Sequence, residues 1–257
     1  MGRWETLLSW EMGDPLRLAI FLFGVPSLTY LLGVDYLKPQ WEIASISLSQ
    51  PPLYSHGSPL NSITAAHLFE YLSLSAGFWI LLALLISVFS ILAFRYDREQ
   101  GYAFSVYSLP FTKGELFAAK TLSVLLISLL LLYIPLLIVG IVPNADITGV
   151  IREITFTDRY FHLLIFATYF VLFSLSISVL FSVLLKNMFL AFIASFFLLV
   201  LPFFAGLHWP PFFFLSMLAR SLSGASPFET NWVLWGLVIP AALLLVSGLI
   251  FVRRDVL

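Results

Sequence analysis

Leu116 to Val142 reads LFAAKTLSVLLISLLLLYIPLLIVGIV, a run with Lys120 as its single charge. Crossing the hydrocarbon of a bilayer takes roughly 20 mostly apolar residues in one helix, so this run is read as a transmembrane helix. Thr112-Lys113-Gly114-Glu115 stands just before it. This T-x-x-E spacing is a capping box, in which the two side chains satisfy free amides at a helix start. Working outward, five more apolar runs are separated by polar breaks. The six predicted spans are approximately Leu16 to Val34, Tyr71 to Phe94, Leu116 to Val142, Phe161 to Leu185, Met188 to Leu207 and Trp232 to Val252. Asp14-Pro15 opens the first, and Ser226-Pro227-Phe228-Glu229 forms a second box before the last.

Composition points the same way. The 257 residues are 60% hydrophobic and 11% charged, with a mean hydropathy of +0.99, outside the range of soluble domains. No polar block is long enough to fold alone, so residues 1–257 are read as one all-α polytopic membrane domain. A net charge of −1 gives no reason to expect nucleic acid. The absence of cysteine excludes disulfides, thiolate metal sites and cysteine nucleophiles. The start, MGRWETLLSWEMGD, carries three acids and leads into a full-length span, so the first apolar run is expected to be retained rather than cleaved.

Lysine and arginine favour the cytoplasmic side of membrane helices. With the N-terminus inside, Arg3, Arg17, Arg95, Arg98, Lys113, Lys120, Lys186, Arg253 and Arg254 fall inside, against Lys38, Arg152, Arg159 and Arg220 outside. Nine against four predicts both termini in the cytoplasm. The segment 35–70 then lies outside. Its alternating residues from Ile43 to Ser49 suggest a short strand, and Asn61 to Glu70 a surface helix. Pro26, Pro135, Pro202 and Pro240 lie within four of the spans and favour kinks there.

Several chemistries are missing. No carboxylate falls inside a predicted span, whereas proton-coupled carriers and intramembrane acid proteases need acids or a proton relay at membrane depth. Lys120 and His162 each lie near a span end, where they can reach the interface. There is no H-E-x-x-H, no G-x-S-x-G and no G-x-x-x-x-G-K-[ST], so zinc proteolysis, a hydrolase elbow and a phosphate-cradling loop are not indicated. His56, His67, His162 and His208 match no metal-ligand spacing. ATP-derived energy would have to come from another chain, whereas a sodium site built from backbone carbonyls would leave no trace in the sequence.

Arg95 to Lys120, RYDREQGYAFSVYSLPFTKGELFAAK, is the sizeable polar segment between the second and third spans. As a short helix it places Tyr102 and Val106 on one face, with Pro110 ending it. Arg98-Glu99, Gly101, Ser108-Leu109-Pro110, Lys113, Glu115, Leu116 and Lys120 together resemble the cytoplasmic coupling segment of the type-two ABC exporter permeases. The tail Phe251-Val252-Arg253-Arg254-Asp255 is similar to that family's C-terminus, and Tyr102 stands where the family often has a small hydroxyl residue.

This resemblance implies a six-helix half-transporter with an N-terminal interfacial elbow helix and a cytoplasmic coupling helix over 95–115. Arg98, Glu99, Gly101, Tyr102, Val106 and Pro110 would contact a separate cytoplasmic ATPase that binds ATP and Mg, and a second permease copy or a homologous permease would complete the pore. The elbow follows from Trp4, Leu7 and Leu8 at i, i+3, i+4. Two further features bear on a pathway. Ser174, Ser178 and Ser182 recur every four residues and offer either close helix packing or a path lining. The segment 208–231 is read as re-entrant or surface-bound, with Phe212, Phe213 and Phe214 as an outer gate or an interfacial aromatic belt. The expected activity is export of a hydrophobic or amphipathic cargo across a cell (plasma or inner) membrane. The alternatives are a non-transporting scaffold or intramembrane enzyme, and then a sodium-coupled carrier.

Overall fold

A computed structural model describes residues 3–48, 75–96, 99, 111–141, 158–222 and 230–253. Within them the chain is all helical: α1 (Arg3–Met12), α2 (Pro15–Leu48), α3 (Ala76–Ile91), α4 (Lys113–Ile141), α5 (Asp158–Leu184), α6 (Met188–Phe204), α7 (Phe213–Leu222), α8 (Thr230–Val233) and α9 (Ile239–Arg253). A π turn over Leu92–Tyr96 extends α3, and a second, Leu234–Val238, joins α8 to α9. Helix is what lipid demands, because each backbone amide must find its partner within its own segment.

Five stretches are long and apolar enough to cross a membrane: Pro15–Val34, Ala76–Tyr96, Lys113–Val139, Leu164–Leu184 and Leu234–Arg253. The chain is therefore a multi-pass α-helical membrane protein. The fifth predicted span corresponds to α6, apolar but only 17 residues long. Local chemistry sets the visible ends. Glu115 Oε2 accepts from the Thr112 amide at 2.7 Å while Thr112 Oγ1 accepts from the Glu115 amide at 3.2 Å, closing the expected capping box. Asp14 Oδ1 caps α2 through the Leu16 amide at 3.0 Å, and α6 stops at Gly206, whose φ of 68° a side chain would resist.

The segment after Val34 corrects the sequence reading. α2 continues to Leu48, through Asp35 and Lys38, so the strand expected at Ile43 to Ser49 is helix up to Leu48. The same residues satisfy both patterns, since Ile43 and Ile46 are also spaced i, i+3 for a helix face. The expected surface helix at Asn61 to Glu70 and the box at Ser226 lie outside the described residues.

α5 is the hub, packed against α3, α4, α6, α7 and α9, while α2 lies along α4 and α3. Trp79 meets Phe170 at a centroid distance of 4.6 Å and Phe166 meets Trp232 at 4.9 Å. Lipid is as apolar as a leucine core, so such contacts hold helices together by fit rather than by escape from water. Gly24 illustrates the tolerance: a Cβ there would stand 3.0 Å from both Leu131 and Leu85.

Candidate functional site

Several helix ends converge at the end of the bundle that carries α1. Leu7 of the elbow packs on Leu116 and Ala119 of α4. One turn further along each helix, Glu11 meets Lys120, with Oε1 and Nζ 2.8 Å apart. The i, i+4 spacing on both helices aligns an apolar pair with an ionic pair. The inward face of the elbow is thus Leu7 and Glu11, whereas Trp4 is about half exposed, at 50%. Of the residues read as the elbow's apolar face, Leu7 packs inward on α4 and Trp4 is left open to the surroundings.

Arg17, in the first turn of α2, completes the cluster. Its Nη1 donates to Glu11 Oε2 at 2.8 Å, to the Glu11 carbonyl at 3.1 Å and to Ser123 Oγ of α4 at 3.4 Å. Its Nε stands 3.2 Å from Asp14 Oδ2. The Glu11, Arg17 and Lys120 side chains are at most 4% exposed. Lys120, near the end of its span as expected, turns into a buried network with the elbow. Burying three charges carries a heavy desolvation cost, offset only when each finds a close counter-charge or donor. Here the two bases and two acids sum to zero charge. Beside them lies a cavity of about 270 Å³, bounded also by Trp10, Gly13, Pro15 and Tyr96. Sequence reading missed this cluster. Its signal was a base within about the first two turns of each of two helices and an acid on the elbow.

A second polar junction lies at the close of α3. The π turn shifts the helical register of the residues beyond it, and Arg95 donates through Nη2 to the carbonyl of Lys186, in the short link between α5 and α6. Glu99, placed in the expected coupling segment, accepts from the Met188 amide at the start of α6 and lies 3.9 Å from Arg95 Nε. A carboxylate at a helix N-terminus is favoured by its free amides and dipole. Asn187 caps the same helix through the Leu190 amide at 3.0 Å. Glu99 thus ties its segment to α6, while remaining 36% exposed. Arg98, Gly101, Tyr102, Val106 and Pro110 lie outside the described residues.

Phe251 near the end of α9 joins the same end of the bundle, its ring 5.9 Å from Phe94 and 5.5 Å from Phe117. Both α1 and the last turns of α9 therefore sit where α3 ends and α4 begins.

The remaining sequence-selected residues lie deeper in the bundle. Ser174, Ser178 and Ser182 are all buried on α5, and Ser178 Oγ lies 3.1 Å from Ser87 Oγ of α3. Ser182 donates to its own helix at Val179. Phe212 packs on Phe203 at 4.6 Å and Phe170 at 5.4 Å, and Phe214 on Tyr169 at 5.7 Å. Phe213 is partly buried at their side. Among the described residues no group of three or more His, Asp or Glu is placed to hold a metal. No family model and no curated protein matches this chain.

Proposed function

We propose that the chain is the permease subunit of an ATP-binding cassette exporter: six spans, both termini cytoplasmic, working with a second copy or a homologous permease. ATP and Mg belong to a separate cytoplasmic ATPase. The substrate is a hydrophobic or amphipathic molecule, in keeping with aromatic-rich, charge-poor spans. The observation that carries this reading is the linkage of the polar segment after α3. Glu99 is bonded to the start of α6, Arg95 to the α5–α6 link, and the adjoining start of α4 is locked to the elbow and α2 by Glu11, Arg17 and Lys120. A push on the surface between α3 and α4 would reach five helices through directional polar contacts, which is how a rigid-body transition is transmitted.

The test is co-expression with an ATPase encoded beside the gene, purification on a tag carried by this chain, and comparison of wild type with Glu99→Ala. The expected result is stable co-purification of the ATPase, with ATP turnover reduced several-fold in the variant as the tie to α6 is lost. A chain that retains no ATPase overturns the reading and favours a non-transporting scaffold, for which the same contacts would serve only rigidity.

A further inference from the structure

We infer that the cavity at the elbow is a phospholipid headgroup site, specific for a zwitterionic lipid with a primary ammonium, whose acyl chain lies along α2. This inference rests on the chain being a membrane protein and not on its being a transporter.

Three observations meet there. First, the cavity is lined by polar groups beside the start of the span Pro15–Val34. It opens between the elbow and the first turn of α2, with Trp10 half exposed at its edge and Tyr96 across from it. Its volume is about 270 Å³, room for a small headgroup. Second, its charges are balanced and mixed. Glu11 and Lys120 are paired with each other behind the opening, Asp14, 30% exposed, offers the acceptor and Arg17 the donor, and a ligand that is itself neutral but carries both signs keeps the local sum at zero. A lipid with net negative charge and no ammonium would leave Asp14 without a donor, and a quaternary ammonium could donate no hydrogen bond to it. Arg17 makes its contacts through Nη1 and Nε, which leaves Nη2 to donate to a phosphate oxygen.

Third, an apolar groove runs on along the same helix. It begins at Ala19 and Ile20, within a turn of Arg17, and runs against Leu81 and Leu85 of α3 with a volume of about 260 Å³. A further hollow of about 570 Å³ continues past Phe23 and Ser27 to Tyr30 and Leu31. Arg17 to Leu31 spans about 21 Å of helix at ~1.5 Å per residue, the reach of one leaflet of a hydrocarbon core about 30 Å thick with a few ångströms beyond it. A headgroup pocket alone would suit any small zwitterion; the groove selects the lipid.

The test uses the full chain in nanodiscs containing equal parts of phosphatidylethanolamine, phosphatidylglycerol and phosphatidylcholine with identical acyl chains, released into native mass spectrometry. The expected result is one retained phosphatidylethanolamine per chain, at least about fivefold over each competitor. Asp14→Asn should abolish the preference while keeping the α2 cap, because asparagine caps as well as aspartate. Trp10→Ala should weaken retention without altering the unfolding temperature in detergent. Equal retention of all three lipids, or a preference for the anionic one, overturns the inference. Displacement by soluble phosphoethanolamine as readily as by the intact lipid would also overturn it, since the groove would then contribute nothing.

Discussion

Glu11 and Tyr169 mark regions of the bundle held by different physics. Around Glu11, α1, α2 and α4 are joined by ions with fixed directions and almost no exposure. Around Tyr169, towards the other end, α5, α7 and the second π turn meet through rings and a glycine, and fit is everything. The ring sits where a Cβ on Gly236 would lie, 2.2 Å away. An ionic junction fails when one partner is removed and tolerates removal of all of them together. A steric junction fails when an atom is added and recovers when one is taken from across the contact.

The largest effect is therefore expected from Glu11→Ala, which leaves Arg17 and Lys120 buried without their shared carboxylate. The loss should be about 3–5 kcal/mol in a reversible detergent-unfolding titration, whereas replacing Glu11, Arg17 and Lys120 together by Leu, Met and Met should come close to wild type. If the triple variant is as unstable as the single one, the cluster holds the elbow by shape, and the contrast collapses. Next comes Gly236→Ala, expected to cost about 1–3 kcal/mol by overpacking. Adding Tyr169→Ala should recover part of that loss, and strict additivity of the two in the same titration would show that they do not meet. The smallest effect is expected from Ser178→Ala, which removes the hydroxyl contact to Ser87 at about 0.6 kcal/mol. A loss several times larger would mean that the serine stripe is a third, polar kind of junction in the middle of the bundle.

What the sequence revealed was what neighbours in the chain decide. The capping box at Thr112 and Glu115 and the Asp14 cap involve residues two or three apart, and both are present at hydrogen-bond distance. The long apolar runs similarly carry their own evidence. What escaped was whatever depends on distant partners. Lys120 read as an interfacial base because its counter-ion, Glu11, lies on the elbow 109 positions away in a segment that looked merely amphipathic. Nothing local signals, either, that the Met188 amide comes to meet Glu99. The first span ends at Val34 as read, but its helix runs on to Leu48, and that was missed for another reason. Asp35 and Lys38 mark the membrane boundary well, but a helix does not have to end where the lipid does.

That continuity has a mechanical side. α2 has 34 residues, about 51 Å of helix at ~1.5 Å per residue, against hydrocarbon about 30 Å thick. Its foot is clamped at Arg17, and the helix is longer than the hydrocarbon is thick. Taken as straight, α2 pivoting at that foot would carry Leu48 some 4 Å sideways for a tilt of about 5°, and a kink at Pro26 would redirect that motion. Small rotations of the elbow would thus arrive on the far side of the bilayer amplified, as displacement at the end of a lever.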